Sequence, residues 1–265
     1  MRSSSNPAFR NLPQGQGQGY ATFDRSAGMG TAFAGGEGAP VDPGRAGVAA
    51  RPITIDDIVT KTAITAGTAI VTGTLTVVSG LYGLALPAFI VGFIVSLVLI
   101  FKPHLAKAPL VLLYSAAMGV ALGGISGLLN DVYPGIALQA IVGTAGVFIG
   151  MLIVYKTGAV RVTPRFTKWL LGAMVGVIVL LLFNLVMSLF GINTGLRDGG
   201  PVAIIFSLLI IGVAAFSLLL DFDQADKAIR AGAPATLDWY IAFGLMTTLV
   251  WLYIEILNLL SYLRN

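Results

Sequence analysis

Long uncharged runs alternate with short charged connections over most of the chain. Residues 62–101, 108–130, 132–155, 169–196 and 199–220 contain no Asp, Glu, Lys, Arg or His, and in 239–263 the only charged residue is Glu255. About 20 helical residues, rising 1.5 Å each, cross a hydrocarbon core of roughly 30 Å, and each run is long enough to do so. The first is twice that length, and Gly80, Gly83 and Pro87 near its middle supply a turn, so it divides in two. The pattern therefore predicts seven membrane helices, near residues 60–81, 85–101, 109–129, 134–155, 168–190, 201–221 and 239–262. The connections are short and leave no room for a domain outside the membrane.

The first 57 residues read differently. They are rich in Gly, Gln, Ser, Pro and Ala, with isolated aromatics such as Phe9, Tyr20 and Phe23. Such a segment buries too little apolar surface to offset its ordering entropy, which predicts a disordered tail over 1–57 ahead of a seven-helix domain over 58–265. No continuous apolar stretch resembling a secretory signal precedes residue 57. The stretch Ile53 to Lys61 reads as a helix start, with Thr54 as N-cap and Asp56 and Asp57 in the first turn, where the helix dipole favours carboxylates.

Composition agrees with the pattern and narrows the chemistry. With 56% hydrophobic and 11% charged residues in 265, and a mean hydropathy of +0.88, the chain holds more apolar side chain than a soluble core can bury. The fold class is thus an all-α integral membrane protein whose first partner is the lipid bilayer. The absence of cysteine removes disulfides, thiolate metal sites and a thiol nucleophile, and the single histidine, His104, sits between Lys102 and Lys107 in a short loop. The formal charge of +4 is distributed by side. Lys61, Lys102, Lys107, Lys156, Arg161, Arg165, Lys168, Lys227 and Arg230 collect on one side with the tail arginines, whereas Arg197 and Arg264 fall on the other. By the positive-inside rule the N-terminus is cytoplasmic and the C-terminus outside, the basic balance marking cytoplasmic loops rather than a nucleic-acid surface.

Small and polar residues mark where helices meet. Gly119, Gly123 and Gly127 recur every fourth residue, Gly172 and Gly176 form another such pair, and Gly143, Gly146 and Gly150 line one side of the fourth helix, a spacing that permits close backbone approach. Glu255 is the ionisable residue deep within a predicted span, and a charge there costs about 2.5 to 3.5 kcal/mol on insertion scales unless it is neutral, paired or facing water. Trp251, Glu255, Asn258 and Tyr262 share one face of the last helix, and Ser217, Asp221 and Gln224 share a face of the sixth. If these faces oppose each other, Asp221 and Glu255 can share a proton, since two adjacent carboxylates do not both ionise cheaply. The plainer reading makes Asp221, with Asp223 and Asp226 just beyond, a solvated helix end. Asn184 and Ser188, one turn apart on the fifth helix, either hydrogen-bond to a neighbouring helix or line a cavity. Asn258, Asp223, Asn184 and Ser217 are accordingly the secondary polar candidates.

Enzyme readings fail on missing parts. Gly124-Ile125-Ser126-Gly127 matches the nucleophile pattern of rhomboid proteases, but no histidine follows His104 to act as base. A retinal protein needs a lysine in the last helix, and 239–263 has none. The motifs flanking the carboxylates of intramembrane aspartyl proteases are absent around Asp221 and Glu255. The expectation is a protein that is not an enzyme and carries no cofactor.

The run Leu220-Asp221-Phe222-Asp223-Gln224, with Leu252-Tyr253-Ile254-Glu255-Ile256-Leu257-Asn258-Leu259 in the last helix, resembles the paired C-terminal signature of the transmembrane Bax inhibitor motif family, in its bacterial YccA-like branch. Tyr114 to Ser126, with Met118-Gly119 and Gly123-Gly124, is similar to that family's third helix. The likeness spans roughly 58–263. It implies a seven-helix bundle in the bacterial inner membrane, with the last helix near the centre, acting as a pH-sensitive calcium leak. Asp221 would match the sixth-helix aspartate of the gating pair, and Glu255 the seventh-helix aspartate with one more methylene. Calcium would be the permeant ion, touching Asp221 and Glu255 transiently, because one carboxylate pair falls short of the six to eight oxygens of a tight site. The family also suggests an alternative, a regulatory protein that binds a membrane quality-control protease.

Overall fold

The computed structural model describes residues 51–264. The expected disordered tail lies outside the described residues except for its last seven positions, 51–57, which belong to the bundle. Ile53 is buried and its amide donates to the Ala233 carbonyl at 2.8 Å, while the Ala235 amide donates to the Arg51 carbonyl at 2.9 Å. The helical domain therefore starts ahead of residue 58.

Seven long helices follow: α1 (Ile55–Val78), α2 (Ala85–Phe101), α3 (Ala108–Val132), α4 (Ile136–Thr157), α5 (Pro164–Leu189), α6 (Pro201–Arg230) and α7 (Asp238–Arg264). All seven are long and apolar enough to cross a membrane, and no strand occurs among the described residues. Local sequence accounts for their ends. Thr54 and Asp57 cap α1 reciprocally, the Thr54 hydroxyl accepting from the Asp57 amide and the Asp57 carboxylate accepting from the Thr54 amide at 3.0 Å. Gly80, at φ +65°, breaks the first long apolar run as the turn residues predict. Pro87 stays inside the first turn of α2, where its missing N–H costs nothing.

The sixth helix is longer than the sequence suggests, continuing nine residues past Asp221. Lys227 pairs with Asp223 at 2.6 Å and Arg230 with Asp226 at 2.8 Å, both one turn apart, and the two cations sit in the last turn, where they favour the helix dipole. Gly232 then ends the helix at φ +62°, its amide and that of Ala233 donating back to Ile229 and Ala228.

Helix α7 is the hub, packing against α1, α3, α4 and α6, while α2 leans on α3 and α5 on α6. Successive spans alternate in direction: α1 and α3 run parallel through Ala69 to Gly119 and Gly73 to Gly123, and Arg264 at the end of α7 donates to the Pro134 carbonyl at the start of α4. Lys102, Lys107, Lys156, Lys168, Lys227 and Arg230 thus gather at one end of the bundle, here the basic end. Large side chains such as Phe101, Leu189 and Phe190 cover the outside. An apolar exterior of this kind is a liability in water and the natural boundary with lipid.

The glycine spacing on α3 is a packing device. A Cβ on Gly123 would stand 2.6 Å from the Gly73 Cα and one on Gly119 2.7 Å from the Ala69 Cα, while one on Gly127 would collide with the Tyr82 ring. At Gly119 and Gly123 backbone meets backbone, as dispersion-driven association in lipid favours, and Gly127 makes room for an aromatic ring. The other expected pairs behave differently: Gly172, Gly176, Gly146 and Gly150 would meet nothing within 4 Å. They face outward, because α5 has a neighbour only in α6 and that side of α4 has none, whereas Gly143 of the same stripe faces Ile256 of α7.

Candidate functional site

The site lies along the α6-facing side of α7. Thr248 and Glu255, seven residues apart, occupy the same face at separations of about 10 Å along the helix. Each carries or contacts a carboxylate. Nearer the basic end, the Thr248 hydroxyl donates to Asp221 Oδ2 at 2.6 Å. Towards the opposite end, Arg197 Nη2 donates to Glu255 Oε1 at 2.7 Å.

These partners revise the expected pair. Asp221 and Glu255 sit on facing helices, yet at different heights and with different partners, so no proton is shared between them. A buried layer intervenes, with Ala214 and Leu218 on α6 packed in one cluster with Leu252 on α7. Leu218 and Leu252 are fully buried. Asp221 is equally not a free helix end, since α6 runs two further turns and Thr248 caps its carboxylate.

The Glu255 environment is the sharper of the two. Its side chain is 3% exposed and that of Arg197 is 26% exposed, so the anion is buried and the cation reaches solvent. Glu255 Oε2 is buried and has no hydrogen-bond partner among the described residues. Arg197 belongs to the 190–200 connection, which folds back over the end of the bundle to make this contact. Tyr262, one turn beyond Asn258 on the same face, also stands beside Arg197.

The secondary candidates scatter. Ser217 is buried and bonds to the Val213 carbonyl of its own helix at 2.9 Å, with Met174 Sδ of α5 at 3.5 Å. Asn184 donates to the Thr194 hydroxyl and so ties the end of α5 to the connection that carries Arg197. Asp223 pairs with Lys227, and the Asn258 carbonyl accepts from Ser261. Ser217, Asn184 and Asp223 thus serve helix packing and helix ends, and none of them joins Glu255. Among the described residues no three acids, histidines or cysteines cluster as a metal site.

Sequence reasoning missed Arg197 and Thr248. Arg197 entered only as a topological marker, although an arginine in the cation-poor connection, facing the one acid of the last span, was a readable signal. Thr248 had the heptad spacing to Glu255 and no other distinguishing mark. Two further polar contacts tie α7 in place: Lys61 to Asp238 at 3.0 Å, with Lys61 also 5.2 Å from the Trp239 ring centre, and Ser126 to the Tyr253 hydroxyl at 2.7 Å.

Fold and site together define an integral membrane protein in which six spans surround or flank a central seventh that carries a buried, arginine-bound carboxylate. The model of the family described as Bax inhibitor 1 like matches residues 6–265, and the chain belongs to that family. The match reaches far into the first 57 residues, which the sequence signature alone leaves out. A search of the curated proteins finds no match to the chain.

Proposed function

We propose that this protein is a pH-sensitive, calcium-permeable leak of the bacterial inner membrane, opened and closed at the carboxylates of its last two helices. The observation that carries the reading is Glu255, a buried carboxylate with one oxygen bound to a loop arginine and the other without a partner. Intramembrane ionisable groups are costly and mark ion paths by default. Asp221 supplies a second acceptor on the same side of α7, about 10 Å away towards the basic end. Between them the buried Leu218 and Leu252 would be the apolar barrier that closes such a path by excluding water. A calcium ion moving along this face would exchange water for one or two carboxylate oxygens at each stop, which suits passage and not storage.

The pH response follows from which groups face Glu255. Arg197 binds it, with Tyr262 and Asp198 alongside. Protonating Glu255 removes the charge that holds Arg197 and frees the 190–200 connection, so flux rises as the pH falls. The opposite sign would follow from a proton shared with Asp221, whose release would drive the helices apart.

Calcium entry into dye-loaded proteoliposomes over a range of pH tests the reading. Parent protein should leak more at acid pH, and Glu255→Gln should leak at every pH with a flattened profile. Absence of calcium flux in the parent protein overturns the leak, and a rise of flux with pH overturns the arginine-bound gate.

A further inference from the structure

Helices α1 and α4 both pack on α7 and leave a cleft between them. The cleft encloses about 800 Å³, is floored by α7 residues such as Leu249 and Val250, and runs the length of α1 from Ile55 to Val77. Its walls are apolar, and the space exists because the facing positions are small: Ala63, Ala66 and Gly73 on α1, Ala137 and Ala145 on α4. The rim residues Ile55, Val59 and Ile70 are more than half exposed, so the cleft opens sideways to the bilayer. At the basic end its wall ends in Tyr155 and Lys156, with Asp226 beside them. Asp226 is engaged by Arg230 at 2.8 Å and by the Tyr155 hydroxyl at 3.3 Å, whereas Lys156 makes no ion pair among the described residues.

We infer that this cleft is a binding site for one anionic phospholipid of the surrounding membrane, its acyl chains between α1 and α4 and its phosphate at Lys156. Three observations select this occupant. The walls offer chiefly dispersion contact, with a few scattered hydroxyls such as Thr62 and Thr144, while among the described residues the one unpaired charge at the mouth, Lys156, is positive. The volume lies within the range of about 300 to 1,000 Å³ of small-ligand sites. A transmembrane helix, at least 10 Å across and 30 Å long, occupies roughly 2,400 Å³ and could enter only by an edge. The lysine stands at one end of the cleft, where the headgroups of one leaflet sit, and the acyl chains of one lipid would fill about half of its length, roughly 15 Å. The site uses neither Asp221 nor Glu255, so it stands apart from the ion path.

Native mass spectrometry of the full chain, titrated in detergent with phosphatidylglycerol or with phosphatidylcholine, tests the inference. One phosphatidylglycerol should be retained at least tenfold more tightly than phosphatidylcholine. Lys156→Gln, at an exposed position that does not disturb folding, should bring the two lipids to within about twofold. Ala63→Leu combined with Ala145→Leu should fill the cleft and abolish the retained lipid. Equal retention of both lipids by the parent protein identifies ordinary boundary lipid and overturns the proposal, as does an unchanged preference in Lys156→Gln. Dimers that the filled cleft abolishes would instead assign it to a second copy of the chain. Should the double variant fail to fold, the Lys156→Gln comparison alone decides.

Discussion

Removing Arg197 should cost far more than removing its partner. Glu255 is 3% exposed and Arg197 26%, so Arg197→Gln leaves a carboxylate in a dry setting with neither oxygen bound to a cation. Breaking a buried ion pair from one side destabilises by about 3 to 5 kcal/mol, chiefly through the uncompensated charge left behind. Glu255→Gln leaves a guanidinium that can turn to water or donate to the new amide, and the expected cost is about 1 kcal/mol, the scale of one net hydrogen bond. The double variant, having no buried charge at the site, should recover most of the loss of Arg197→Gln, giving a coupling of about 2 kcal/mol or more. Thermal unfolding of the four proteins in one detergent, followed by circular dichroism, measures the cycle. The reasoning fails if Arg197→Gln melts with the parent protein, or if the two single losses simply add.

Gly123→Ala should lower stability by about 1 to 3 kcal/mol, because its Cβ would lie 2.6 Å from the Gly73 Cα and α1 would have to retreat. Gly176→Ala, which meets nothing within 4 Å, should be neutral or gain up to about 1 kcal/mol from helix propensity, and equal melting points for the two would contradict the packing described. Thr248→Val removes the hydroxyl that donates to Asp221 while keeping the shape, and should cost about 1 to 3 kcal/mol in the same assay. Asp221→Asn combined with Thr248→Val should cost less than Thr248→Val alone if that hydroxyl serves the carboxylate. Single cysteines at Lys102, Lys156 and Lys227 should resist an impermeant thiol reagent added outside intact cells, and cysteines at Asp131 and Arg264 should react. Labelling of Lys156 and Asp131 from one side would contradict the alternation of spans.

The number of helices and most of their ends were legible because the bilayer imposes a fixed length and each span must satisfy its own backbone hydrogen bonds. The charge-free runs follow from that rule directly. The Thr54 cap and the break at Gly80 are local effects that a few neighbouring residues decide, and the extension of α6 to Arg230 could have been read from Asp223 with Lys227 and Asp226 with Arg230. The family signature around Asp221 and Glu255 likewise resides in short segments. The α3 glycines were readable as a close-packing stripe, but that Gly172 and Gly176 face outward depended on α5 having α6 as its neighbour and nothing on its other side.

What surrounds Glu255 was decided only by the tertiary structure. Faces of helices can be drawn from a period of 3.6 residues, yet the vertical register between α6 and α7 depends on how far α6 runs beyond Asp221 and on the path of the connection to Asp238. A shift of two turns places Thr248, and not Glu255, opposite Asp221. Arg197 lies 58 positions from Glu255 in the chain, on a connection whose conformation no periodicity governs, and it reaches the buried carboxylate because the 190–200 segment folds back over the bundle. Local sequence determines the elements and their polar faces; long-range packing determines which charge meets which, because that depends on summed lengths and turns along the whole intervening chain.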